Sequence, residues 1–460
     1  MLRPLALAGA ALSVLAAPAF AQAPATPAPA AALSPASVTL DFLKGSPEWT
    51  SLFDGKTLAG WSGEGYEVED GAITCTKKGQ FLRTEKEYAD YVLEFEFKLK
   101  PGSNNGIGIR YPGNGDAAYQ GMEVQILDDR DKMYHNDKFE LGPAQYHGSI
   151  YGISPSTQKE KNLLKPVGEW NHQIIVVMGD HIKVILNGET INDAYLSKME
   201  ALDGKPHPGK SRATGYIAFC GHGDYVAYKN IRLKDFSPAA PVLAGNPDNT
   251  APAGFTTLFN GTDLTNWKGL AAAPNDNPFK RAALSEADAA KVQAAADENM
   301  KAHWSVVDGA LQFDGKGASL ATAKKYGDFD FYVDWKIPAK ADSGIYLRGT
   351  PQVQIWDPAN PAQFAVGNQK GSGGLWNNKG AGKDPLVPAD KPIGEWNTFH
   401  IRMIGDLTTI WLNGKLVIDK APLDNYWAPG KPLPREEQIE LQNHGNTLRF
   451  KNIYVRELPR

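Results

Sequence analysis

The segment GMEVQILDD, starting at Gly121, carries residues of the types that do acid–base chemistry. In an extended chain Glu123 and Gln125 share one face, while Met122, Val124 and Ile126 share the other. One face suits a core, and the other presents a carboxylate. Just upstream, NNGIGIR turns Ile107 and Ile109 inward and Arg110 outward, where a neighbouring strand would set it beside Glu123. Gly106 and Gly108 leave room on that face for a ligand ring to approach the backbone. A third titratable group, His222, stands in the motif GHG, which reads as a strand end. The competing readings are a structural Glu123–Arg110 ion pair and a His222 that only hydrogen-bonds a loop.

The long segment DRDKMYHNDKFELGPAQYHGSIYG follows the Glu123 strand and is placed over the rim of the same face. Its His135, His147 and Tyr151 can bind hydroxyl groups or supply a proton. Asp128, Asp129 and Asp131 are oxygen ligands of the kind a hard cation such as Ca²⁺ takes, although an acidic turn without an ion is the favoured reading. No cofactor is required by the sequence.

The same strand returns as PQVQIWDPAN, with Gln352 where Glu123 stood. Arg348, Gln354, Trp356, Asp357 and His444 accompany it. This copy keeps hydrogen-bonding and stacking groups but loses the carboxylate, so the first copy is the better candidate for chemistry.

These residues need sheets to position them. In YVLEFEFKLK, Tyr91, Leu93, Phe95, Phe97 and Leu99 point one way while Glu94, Glu96, Lys98 and Lys100 point the other, which is a half-buried strand. FDFYVDWKI repeats the pattern with Phe329, Phe331, Val333, Trp335 and Ile337. QIIVVMGDHIKVILNG and FHIRMIGDLTTIWLNG read as matching hairpins turned at Gly179-Asp180 and Gly405-Asp406. Trp170, in GEWN, is expected in the core.

Equivalent residues keep one order throughout: Phe53 and Phe259, Gly71 and Gly309, Arg110 and Arg348, Trp170 and Trp396, His222 and His444. Their spacing widens once, placing an insertion at about residues 271–303, where Ser285 followed by Asp288 and an Ala-rich run predicts an N-capped helix. Many short strands punctuated by Gly and Pro make the fold all-β: two tandem antiparallel sandwiches, at 47–236 and 255–460, joined by a linker at 237–254.

With 460 residues, 42% hydrophobic and 22% charged, and a formal net charge of −4, the chain has the composition of a soluble globular protein. A basic face for nucleic acid is not indicated. Residues 1–21 read as a secretory signal ending in Ala19-Phe20-Ala21, and residues 22–46 as a Pro/Ala-rich tether, so a secreted or periplasmic location is expected. No other segment reads as a transmembrane span. The two cysteines, Cys75 and Cys220, are either a disulfide or two buried thiols.

The ordered set SLFDGKTLAGW, NNGIGIR, GMEVQILDD, GEWN, LNG, GYIAFCGHG and YKNI resembles the 3-keto-disaccharide hydrolase family. The second half resembles it again in TLFNGTDLTNW, DSGIYLR, PQVQIWD, GEWN, LNG, IELQNHG and FKNI. The resemblance implies two concanavalin A-like jelly rolls with sugar-sized concave faces. It also implies glycoside substrates whose C3 hydroxyl has first been oxidised, with a glycoside 3-dehydrogenase as functional partner.

A C3 ketone acidifies the hydrogen at C2, so one base can remove it while the leaving group departs from C1, and water can then add to the unsaturated keto sugar. The paired carboxylates of an ordinary glycosidase become unnecessary. For this chemistry Glu123 is the candidate base, Arg110 the partner of the enolate oxygen, and His222 the acid or alternative base. Gln125, His147, Tyr151, Arg348, Gln352, Gln354, Trp356 and His444 are candidate substrate contacts. A histidine-based site at His444, with Gln352 orienting substrate, stays open. So do a non-catalytic lectin-like pair and a glycanase acting on unoxidised polysaccharide.

Overall fold

The computed structural model describes residues 47–237 and 248–459. The expected leader, the tether and most of the linker therefore lie outside the described residues. Each half is a sandwich of an eight-stranded and a five-stranded antiparallel sheet, and both halves belong to one compact unit.

In the first half, the large sheet runs Glu189–Tyr195, His181–Leu186, Trp170–Met178, Tyr91–Leu99, Val226–Asp235, Ala72–Cys75, Tyr66–Glu69, with Thr50–Ser51 added against Val226–Asp235. The small sheet runs Trp61–Gly63, Phe81–Thr84, Tyr216–Cys220, Asn104–Tyr111, Met122–Leu127. The second half repeats both orders, with Phe329–Lys336, Asp342–Leu347, Thr350–Trp356 and Glu440–Leu441 in the corresponding places.

Alternation explains the layering. Tyr91, Leu93, Phe95, Phe97 and Leu99 enter the first core and meet Ile107, Ile109, Met122, Val124 and Ile126 from the small sheet. Phe219 of the small sheet stacks on Tyr228 of the large one at 4.0 Å and on Trp61 at 4.9 Å, so one ring ties the two layers. Truncating such a buried aromatic costs about 3–5 kcal/mol. The outer face of the small sheet is then left to Gly106, Gly108, Glu123 and Gln125.

The insertion forms the helix Glu286–His303, where the Ser285 hydroxyl accepts from the Asp288 amide at 3.1 Å. It lies against the strand Trp267–Gly269, and a Cβ at Gly269 would collide with the Ala296 carbonyl. Glycine is what lets helix and strand meet.

One expectation changes, and one left open is decided. Trp170 is not core: it lies half-buried on the outer face of the large sheet between Lys98 and Lys229, whose ammonium groups sit 4.9 and 4.1 Å from its ring. Trp396 repeats this between Lys336 and Lys451. The alternation in GEWN starts one residue into a strand, too short a run to show which face the indole takes. Cys75 and Cys220 are separate buried thiols.

Candidate active site on the small sheet

Glu123 stands in Met122–Leu127, the last strand of the first small sheet, directly across from Gly108, which in turn pairs with Ala218. Its carboxyl lies over Gly106, where a Cβ would collide with Oε1. Ala218, Cys220 and Ala117 pack around Gly108, Glu123 is 5% exposed, and its buried Oε1 has no hydrogen-bond partner among the described residues. Burial, with the Asp116 carboxylate adding repulsion, pushes its pKa up to about 8. Gln125, two residues on, donates to Asn104 Oδ1 at 2.7 Å.

Arg110 is not beside Glu123. Its backbone is in the left-handed region, φ 51°, and the pairing of the neighbouring strand shifts register between Tyr216 and Ala218. That irregularity breaks the alternation expected from GIGIR. The guanidinium instead donates to the Ala89 carbonyl, to the Arg212 carbonyl at 2.9 Å and to Asp90 at 3.2 Å. Both the oxyanion role and the Glu123 ion pair are overturned by this geometry. Arg348 repeats the device at φ 53°, bonding Gly327 O, Pro434 O and Asp328, so it is not a substrate contact either.

His147 is also removed from the site. It is fully buried, stacks on Phe97 at 5.1 Å, accepts from the Leu127 amide at Nδ1 and meets Gln173 at 2.9 Å. Burial lowers its pKa to about 3, so it stays neutral in the core. His222 is exposed in the turn after Tyr216–Cys220. Tyr151 is half-buried on the rim; its amide donates to the Glu123 carbonyl and its hydroxyl accepts from Gln145. His135 pairs with Glu140 on the surface.

The three aspartates do not converge on an ion. Asp128 accepts from the Gly102 amide, Asp129 from the His147 amide, and Asp131 caps the turn Lys132–Tyr134 through the Met133 amide. Among the described residues no group of three or more His, Cys, Asp or Glu side chains could hold a metal.

In the second half Gln352, Gln354 and Trp356 share the corresponding strand and line a cleft of about 470 Å³ with His444 and Asp342. Gln352 Nε2 donates to Gln354 Oε1, and Gln354 Nε2 to Asp342 at 2.7 Å. His444 Nδ1 lies 3.9 Å from Asp342. The expectation that this copy lost its titratable group is corrected by Glu440. That carboxyl, paired across from Tyr346, is 1% exposed, has neither oxygen hydrogen-bonded among the described residues, and is pushed by burial up to about 8. The sequence signal was present: the alternation in QIELQ sets Glu440 and Gln442 on the same outward face.

A model of the 3-keto-alpha-glucoside-1,2-lyase-like domain matches residues 48–234 and again 254–456. The chain belongs to this family. Among its relatives, a 3-keto-disaccharide hydrolase of Bacteroides thetaiotaomicron is 26% identical over 231 residues, covering 40% of this chain and 78% of that protein. A Parabacteroides distasonis structure named as a candidate glycosyl hydrolase is 29% identical over 41% of this chain and 100% of its own, with a TM-score of 0.36. The carbohydrate-binding module CBM66 of Bacillus subtilis matches 41% of this chain and 97% of its own at 12% identity and a TM-score of 0.25. No helix among the described residues is long and apolar enough to cross a membrane.

Proposed function

We propose that the chain cleaves 3-keto-glycosides and that Glu123 is the group that moves the C2 proton. The observation that carries this reading is a buried carboxyl on the outer face of the small sheet, lying over Gly106, with a pKa near 8 and no ion-pair partner among the described residues. Such a group sits close to the proton-transfer range at neutral pH. The name of the family domain and that of the Bacteroides thetaiotaomicron relative support the substrate class.

In this mechanism Glu123 takes the proton from C2, the electrons form the C1–C2 double bond, and the bond from C1 to the leaving oxygen breaks. That oxygen takes a proton from an acid at the rim, the role assigned to His222. Water adding at C1 completes a net hydrolysis. Arg110 takes no part. The substrate comes from oxidation of a glycoside at C3, the work of a glycoside 3-dehydrogenase, and the chain acts outside the cytoplasm.

The test is release of product from a chromogenic 3-keto-glucoside and from its unoxidised parent, run side by side with and without chelator. Release from the keto compound alone is expected. Equal release from the parent would favour a glycanase, and release from neither would overturn the enzyme reading.

A further inference from the structure

The cleft of the second sandwich differs from the Glu123 face in what its floor offers a ligand. Asp342 is a carboxylate and can only accept, so Gln354 must turn its Nε2 toward it, as it does at 2.7 Å. Gln354 Oε1 then faces Gln352 and accepts from its Nε2. The chain of amides is thereby oriented from one end, and the free end of Gln352 is its acceptor, Oε1. Gln442 Nε2 donates to the Tyr346 hydroxyl at 3.3 Å, and its Oε1 is buried without a partner among the described residues. Gln442 is 9% exposed, and its Oε1 lies 3.1 Å from where a Cβ at Gly344 would stand, in line with Gln352. A buried acceptor over a glycine is filled from outside the chain by a water or by a ligand hydroxyl.

The walls are aromatic. Trp356 and Trp376 meet edge to face at 5.2 Å, and Tyr426 and Trp427 do the same at 5.0 Å. All four line the cleft. Aromatic rings beside a mainly polar floor of acceptors match a pyranose, which carries C–H bonds on its faces and hydroxyl donors at its edge.

We propose that this cleft is a second saccharide site that binds unoxidised pyranosides through their hydroxyl donors and prefers them to the 3-keto form. Gln352 holds the place of Glu123, and Gln442 that of Cys220. A ring seated on this sheet as the Glu123 reading seats it on the first, with C2 at the Glu123 position, therefore sets its C2 and C3 substituents against Gln352 and Gln442. This alignment of the ring rests on the reading of Glu123 given above. A C3 hydroxyl fills the Gln442 acceptor; a C3 ketone brings only lone pairs and leaves it empty. The two sandwiches then hold the sugar before and after oxidation.

The experiment is a titration of the full chain carrying Glu123→Gln with a glucose disaccharide and with its 3-keto counterpart, followed by tryptophan fluorescence and calorimetry. Binding of the unoxidised disaccharide, about tenfold tighter than the keto form, is expected. Gln442→Leu and Trp376→Ala, each added to that background and checked for an unchanged melting temperature, are each expected to weaken it by about tenfold. The proposal is overturned by an absence of binding at tens of millimolar, by binding that survives both substitutions, or by an equal or greater affinity for the keto form. Turnover of the 3-keto-glucoside by the wild-type chain and by Glu123→Gln alone reports on the Glu123 reading, so the two failures are distinguishable.

Discussion

Glu123 and Glu440 lie in the same row of their respective small sheets, two strands apart. In the first half the row reads Ala218, Gly108, Glu123; in the second, Glu440 pairs across from Tyr346, and Gln352 stands at the far strand. The substitution of Gln for Glu in the repeated strand is therefore half of an exchange, not a simple loss. Both carboxyls are buried and both are held up at about 8, but their neighbours differ. Arg281, brought in by the insertion, comes within 3.8 Å of Glu440, and Tyr346 stands between that carboxyl's strand and Gln352. Beside Glu123 the corresponding place is Gly108, with Ala117, Ala218 and Cys220 packed around it.

Glu123→Gln is expected to lower kcat on a 3-keto-glucoside by about 10²–10⁴-fold while leaving the melting temperature unchanged or higher. The amide keeps the shape, and Oε1 has no hydrogen bond to lose. In the wild type, kcat/KM should rise with pH through about 8 as the carboxylate forms. Unchanged turnover in the variant would remove Glu123 from the mechanism.

Stability should carry the sign of the same two groups. Each carboxyl ionises at about 8 when folded and near 4.5 when the chain is unfolded. Between those values the unfolded state holds fewer protons, so their contribution is full below pH 4.5 and is lost as pH rises through 8. Glu440→Gln should melt higher than the wild type at pH 8, with the gap closing by pH 5. Parallel melting curves across that range would show that Glu440 is ionised in the folded protein.

Arg110→Met separates a structural role from a catalytic one. Its guanidinium satisfies two backbone carbonyls and Asp90 in the interior, so its removal should cost on the order of 3 kcal/mol by chemical denaturation. The kcat of the folded fraction should stay within about threefold of the wild type. A loss of kcat like that of Glu123→Gln would return Arg110 to the active site.

Period-two patterning carried most of the fold, because a strand with one face buried shows it in every second residue: Tyr91 to Leu99 and Phe329 to Ile337 needed nothing more. Ser285 and Asp288 marked the helix for a similarly local reason. Arg110 was misplaced because a single left-handed residue reverses the alternation, and nothing in NNGIGIR distinguishes arginine there from a regular strand position. His147 was misread because a polar residue in a loop-like segment can be a core residue once two hydrogen bonds satisfy it. Glu440 is legible in QIELQ, but the position at which the repeated strands differ is Gln352, whereas the carboxyl belongs to a row that crosses three strands.

The two sandwiches should unfold together only while Arg402 is present. Its guanidinium, in the second half, reaches Asp90 of the first half, the Phe236 carbonyl at 2.8 Å and Asp330. Asp90 also takes Arg110 and the Gly179 amide, so one buried carboxylate gathers the small sheet, a hairpin turn and the other sandwich. Around it Val92, Ile174, Val176, Met178 and Phe236 of the first half meet Ile404 and Leu458 of the second, and both members of the pair are buried. Replacing Arg402 with Met leaves Asp330 with Arg456 and His400, but strips Asp90 of its only cation from the second half among the described residues. Breaking a buried pair of this kind costs about 3–5 kcal/mol. Calorimetry should therefore turn one transition into two, the lower belonging to the sandwich less stable by itself. A single transition that merely shifts would mean that the apolar contact alone couples the halves.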